Sequence, residues 1–111
     1  MTVDILGTKY TILEQTGEEN PKMEDAFGIC EYYSKKLVVW PSSEYENNPN
    51  AYENIPAFRN KVLRHEVIHA FFAESGLRRN SDYAENEELV DWIAIQFPKI
   101  AKVFKELEIE E

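Results

Sequence analysis

NIPAFRNKVLRHEVIHAFFAESG, from Asn54 to Gly76, is the stretch on which the fold turns. Asn54 belongs to the residue types that cap helix N-termini, Pro56 suits a first turn, and Gly76 supplies a stop, so the segment reads as one helix ending at Ser75. At about 100° per residue, Phe58, Val62, His65, His69 and Phe72 share a stripe. Leu63, Val67 and Ala70 lie opposite, and Ile68 and Phe71 fill a third sector. A helix apolar nearly all round belongs in the middle of a domain.

What precedes it reads as strands. Val3–Leu6 and Lys9–Leu13 flank a Gly7-Thr8 turn, and a second pair, Phe27–Tyr32 and Leu37–Trp40, follows a polar loop from Thr16 to Asp25. Leu37-Val38-Val39-Trp40 is unbroken apolar sequence, which suggests burial on both faces. Residues 41–54, with Pro41, Asn47, Asn48, Pro49 and Asn50, form the longest irregular connection. After the central helix comes another, from Ala84 or Glu85 to Phe97, which Pro98 should break. A last helix, Ile100–Ile109, turns Val103, Phe104 and Leu107 inward. Strands first and helices after is an α+β order: a small, mostly antiparallel sheet, a central helix and two further helices.

The 111 residues suit one domain spanning 1–111, and 43% hydrophobic content is enough for a core. No apolar run approaches the ~20 residues of a membrane span. The net charge of −9, from 12 Lys and Arg against 21 Asp and Glu, argues against nucleic acid as main partner. Cys30 is the one cysteine, which rules out an internal disulfide and a thiolate zinc cluster, and a reducing cytoplasm suits the chain best.

The chemistry concentrates in His65-Glu66-Val67-Ile68-His69, which holds both histidines of the chain. Residues i and i+4 are neighbours on a helix, so two imidazoles on adjacent turns can share one Zn²⁺. Glu66, rotated about 100° from His65, sits beside such an ion, near enough to take a proton from a water bound to it. That is the equipment of zinc-assisted hydrolysis. Satisfied core histidines are the competing reading, but two rings and a carboxylate are costly to bury without partners.

A catalytic zinc keeps three protein ligands and one open position. No histidine is left for the third, so the acids of Asn86-Glu87-Glu88-Leu89-Val90-Asp91 are the candidates. Glu87 and Asp91 fall about 40° apart on one helical face, with Glu88 about 100° away. Glu87 is the favoured ligand and Glu88 the alternative. Asp91, one turn deeper, can accept the spare ring N–H of a ligand histidine. The rival reading makes these acids a solvated first turn that favours the helix dipole.

Taken together, His65-Glu66-Val67-Ile68-His69 and Asn86-Glu87-Glu88-Leu89-Val90-Asp91 resemble the two motifs of the gluzincin metallopeptidases. The likeness is to their minimal one-domain forms, the minigluzincins and the short phage-related proteins of the ImmA/IrrE group. It implies a zincin-like fold and Zn²⁺ held by His65, His69 and Glu87. It also implies Glu66 as base, Asp91 as outer support, and an edge strand, Leu37–Trp40, on which an extended protein or peptide substrate lies. Val90 stands where that motif favours a small residue, and no third histidine follows His69. A non-catalytic zinc-binding regulatory or interaction protein of phage origin is the alternative.

The remaining residues read more plainly. Cys30, Trp40 and Trp92 are expected in the core, and Arg78-Arg79 in a solvated turn, with substrate-carboxylate binding as the minor alternative. Tyr83, Tyr32, Tyr33, Tyr45 and Tyr52 are candidate donors to an oxyanion. Lys105–Glu111 could fray or cover a cleft.

Overall fold

The computed structural model of the chain describes residues 1–46 and 52–111. Strands β1 (Thr2–Ile5) and β2 (Thr8–Glu14) pair antiparallel, with Ile5 opposite Thr8. The turn between them is Leu6-Gly7, one position before the expected Gly7-Thr8. Both residues have positive φ, 52° and 90°, the twist a two-residue hairpin turn needs. β3 (Gly28–Glu31) and β4 (Lys36–Val39) form a second hairpin, and β4 adds to β2 in parallel with Ile12 opposite Leu37.

The sheet order is β1-β2-β4-β3, so the expected mostly antiparallel sheet is mixed: two antiparallel hairpins joined by one parallel pairing. The most apolar strand takes the inner place, where both its faces are covered, and Leu37, Val38 and Val39 are all buried. This corrects the expectation that Leu37–Trp40 is an edge. The edge on that side is β3.

Helix α2 (Ile55–Glu74) packs against β3 and β4, with Asn54 Oδ1 accepting from Ala57 N at 3.2 Å as its cap. Ile5, Tyr10, Leu37 and Ala70 form the buried cluster between sheet and helix, with Ile12, Cys30, Leu63 and Val67 against it. Phe27, Trp40, Tyr45 and Phe58 make an aromatic cluster, ring centroids 5.1–6.1 Å apart, that ties the end of β4 to the start of α2. Short helix α1 (Ser43–Glu46) lies within the connection expected to be irregular, whose residues 47–51 fall outside those described. At the far end of α2, Glu74 accepts from Tyr10 Oη at 2.7 Å and Lys35 Nζ at 2.9 Å, fastening the helix to β2 and to the β3–β4 turn.

Gly76 (φ 84°) turns the chain into α3 (Leu77–Asn80), and a 3-10 turn at Asp82–Glu85 leads to α4 (Glu87–Glu106). α4 runs back along α2 and packs on it, not on the sheet. Two helices divided at Pro98 were expected, and the structure has one. Proline lacks the N–H that would reach the carbonyl four residues earlier, that of Ala94. Arg64 Nε of α2 donates to this carbonyl instead, at 2.7 Å, so the orphaned acceptor is satisfied from outside the helix. Past Pro98, α4 outruns its support: Val103, Phe104 and Leu107, expected inward, are exposed, as is Trp92, expected in the core. No described helix is long and apolar enough to cross a membrane.

Candidate metal centre

Three elements meet beside the middle of α2. α2 presents His65 and His69 one turn apart, with ring centroids 4.9 Å apart and Nε2 atoms 3.2 Å apart. The first turn of α4 brings Glu87, capped by Asn86 Oδ1 accepting from Leu89 N at 2.9 Å. Glu87 Oε2 lies 2.8 Å from His65 Nε2 and Oε1 lies 3.0 Å from His69 Nε2, so one carboxylate spans both rings. Glu88, the alternative, makes no such contact among the described residues. Asp91 Oδ1 sits 3.0 Å from His65 Nδ1 and also accepts from Lys61 Nζ at 2.9 Å. Lys61 was not singled out in the sequence, although it stands one turn before His65 on the same stripe.

Glu66 is buried, at 6% exposure, with its side chain against the edge strand. Gly28 makes this possible: a Cβ there would lie 3.1 Å from Glu66 Oε2 and Cγ and 2.8 Å from Val62 Cγ1. The sequence analysis did not single out Gly28, although a glycine inside a strand often marks such an approach. His65, Glu66 and His69 can each offer an atom within 4.8 Å of the others. Of the two acids near the rings, Glu87 reaches both Nε2 atoms, whereas Glu66 is packed toward β3. Glu87 is therefore the better third donor.

The protonation of this cluster is informative. His65 faces a carboxylate oxygen from each ring nitrogen, yet a neutral imidazole carries one N–H. With that proton on Nδ1, donating to Asp91, the Nε2 lone pair points at Glu87 and His69. That lone pair and a Glu87 oxygen then face one another at 2.8 Å, an arrangement that a cation between them would satisfy. Burial lowers the pKa of His69, against the pull of Glu87, and so favours the neutral ring that metals bind. Lys61, and then His65, hold the Asp91 carboxylate below its ordinary range despite its partial burial. Burial pushes Glu66 up to about 7, with His65 opposing the rise; a cation alongside would pull it down. Two imidazoles and the Glu87 carboxylate, with Glu66 turned toward β3 beside them, fit a zinc site of three protein donors.

A cleft of about 360 Å³ joins this cluster to the edge strand and is lined by Gly28–Tyr32, Arg78 and Glu85. Arg78, expected in a solvated turn, is a cleft residue: its guanidinium stacks 4.0 Å from the Tyr32 ring centroid and donates to Tyr32 Oη. Of the five candidate tyrosines only Tyr32 is placed in the cleft. Tyr45 is buried in the aromatic cluster, Tyr52 packs on Phe58, Tyr83 meets Phe72 edge to face, and Tyr33 pairs with Arg79. Burial, and then the Glu66 charge, push the Cys30 thiol up to about 12, which keeps it protonated. No residue of Lys105–Glu111 lines the cleft.

Comparison with known proteins adds no likeness to this geometry: no family model, curated protein or solved structure matches the chain.

Proposed function

We propose that this chain is a zinc-dependent peptidase that hydrolyses peptide bonds in protein or peptide substrates. One observation carries the reading: His65 Nε2, His69 Nε2 and both Glu87 oxygens converge within 3.2 Å, with Glu66 buried beside them against an open sheet edge. Held by His65, His69 and Glu87, Zn²⁺ would polarise a carbonyl and acidify water.

The chain's own residues supply the rest. Asp91 fixes the His65 tautomer and is itself held by Lys61, so the ring is oriented before any substrate arrives. Among the described residues the outer edge of β3 has no strand partner, and it offers backbone N–H and C=O groups to an extended peptide. Glu66 accepts a proton from the attacking water as its oxygen bonds to the carbonyl carbon, then returns it to the amine as the C–N bond breaks. Tyr32, polarised by Arg78, donates to the carbonyl oxygen as negative charge develops there.

Cleavage of a mixed peptide pool, read by mass spectrometry, tests this. Zinc-loaded protein should cleave, and Glu66→Gln should bind zinc normally while losing roughly 10²–10⁴-fold in rate. Equal cleavage by the variant would remove Glu66 from the chemistry. Zinc binding without cleavage in either protein would assign the site to regulation or recognition.

A further inference from the structure

Arg78 is the only Arg or Lys among the described residues that line the cleft, against the carboxylates of Glu31, Glu66, Glu85 and Glu87. Three of those acids are engaged elsewhere. Glu87 faces the two imidazoles, Glu66 is packed toward β3, and Glu31 pairs with Lys22 at 2.6 Å. Glu85 is left beside Arg78, and the pair is loose. Arg78 Nη1 and Glu85 Oε1 are 3.7 Å apart, beyond hydrogen-bonding distance. Tyr32 holds the guanidinium in place: its ring centroid lies 4.0 Å from Arg78 Cζ, and its Oη accepts from Nη1. A guanidinium carries five N–H donors. Among the described residues the side chain of Arg78 makes that one hydrogen bond, so most of the fork is unclaimed.

We propose that Arg78 selects the substrate by binding a carboxylate of the peptide, an Asp or Glu side chain or the C-terminal group, in place of Glu85. This deepens the peptidase reading and rests on it. The planar fork matches the two oxygens of a carboxylate, and it can stack on an aromatic ring while doing so, which an ammonium cannot. Glu85 shows that a carboxylate fits beside this guanidinium. At 56% side-chain exposure on the 3-10 turn, it can yield the place at small cost. Position along the strand sets the reach. Tyr32 directly follows β3, whose Gly28 end lies against Glu66. Four residues at about 3.3 Å each separate the two ends by about 13 Å, so the selected carboxylate lies within about four residues of the bond that is cut. The net charge of −9 repels an acidic peptide at a distance, so a preference for one has to be made locally. The adjoining hollow of about 430 Å³ adds one cation and one anion, Arg79 and Asp82, and leaves the choice to Arg78.

Three pools of hexapeptides, alike except for the carboxylate, test this. The first has Glu at each position in turn and an amidated C-terminus, the second has Gln in its place with the same amide, and the third has Gln with a free C-terminus. Each is read twice: as cleavage by the zinc-loaded protein, and as retention on immobilised zinc-loaded Glu66→Gln protein. A carboxylate pool should exceed the neutral pool by about tenfold or more in both readouts, and which pool does so names the source. Arg78→Gln should abolish that ratio. Glu85→Gln, which removes the competing carboxylate, should raise it roughly 2–5-fold. Because the readout is a ratio, a general loss of rate through Tyr32 does not imitate it. Equal treatment of the three pools overturns the proposal, as does a ratio that survives Arg78→Gln or does not rise in Glu85→Gln. Cleavage of all pools alike leaves the peptidase reading standing. Selective retention through Arg78 with no pool cleaved overturns that reading and keeps the carboxylate site.

Discussion

The two flanks of α2 are built from one helix and have opposite character. On the β3 side, His65, Glu66 and His69 look into a cleft rich in ionisable groups, each placed by another element: Glu87 and Asp91 from α4, Gly28 from the sheet edge. On the other side, Leu63, Val67 and Phe71 look into an apolar groove. Periodicity separates the two, since His65 and His69 recur at a spacing of four on one flank, and Leu63, Val67 and Phe71 on the other. The polar flank is crowded with specific partners, whereas the apolar one has surface and few fixed contacts. Substitutions on the first should therefore be felt as chemistry, and on the second chiefly as packing.

The largest contrast is in metal retention. Glu87→Ala should weaken zinc binding by more than the 10–100-fold typical of losing an outer support, the loss expected for Asp91→Asn. Glu88→Ala should leave affinity unchanged. Competition with a chromophoric chelator measures all three, and an effect at Glu88 equal to that at Glu87 would break the assignment. Next comes packing on the polar flank. Gly28→Ala drives a methyl to 2.8 Å from Val62 Cγ1 and should cost about 1–3 kcal/mol in a urea melt. Phe71→Ser on the apolar flank, where the ring is 43% exposed, should cost about 1 kcal/mol or less. If the two costs are alike, the groove is part of the folding core and the contrast fails.

The smallest effect belongs to the anchor at the end of α2. Hydrogen bonds from Lys35, Tyr10 and Thr8 hold Glu74 down to about 2, against an ordinary value of 4.5. A carboxylate with a lowered folded pKa stabilises the fold above its unfolded value, and that stability is lost as pH falls through the folded one. Thermal melts should therefore decline between about pH 4.5 and about pH 2, and Glu74→Gln should flatten that decline. An unaltered profile would mean that another group governs acid unfolding.

Much of the polar flank was legible because its signals are local. The His65–His69 spacing, the facing of Glu87 and Asp91, and the cap at Asn54 each need only one helix to be interpreted. What escaped reading depends on two elements at once. The inner place of β4 follows from competition between strands for cover, which no single strand reveals. Arg78 looked like a turn residue until Tyr32 came beneath it. Pro98 looked like a break because the donor that compensates for it is Arg64, 34 positions earlier in the chain.

That last pairing has a mechanical meaning. A guanidinium on one rod props the weak point of another, so the straightness of the terminal third is conditional rather than intrinsic. Removing the prop would give those turns a pivot at Ala94, and the whole end would swing as a lever while the Glu87 end stayed where it was.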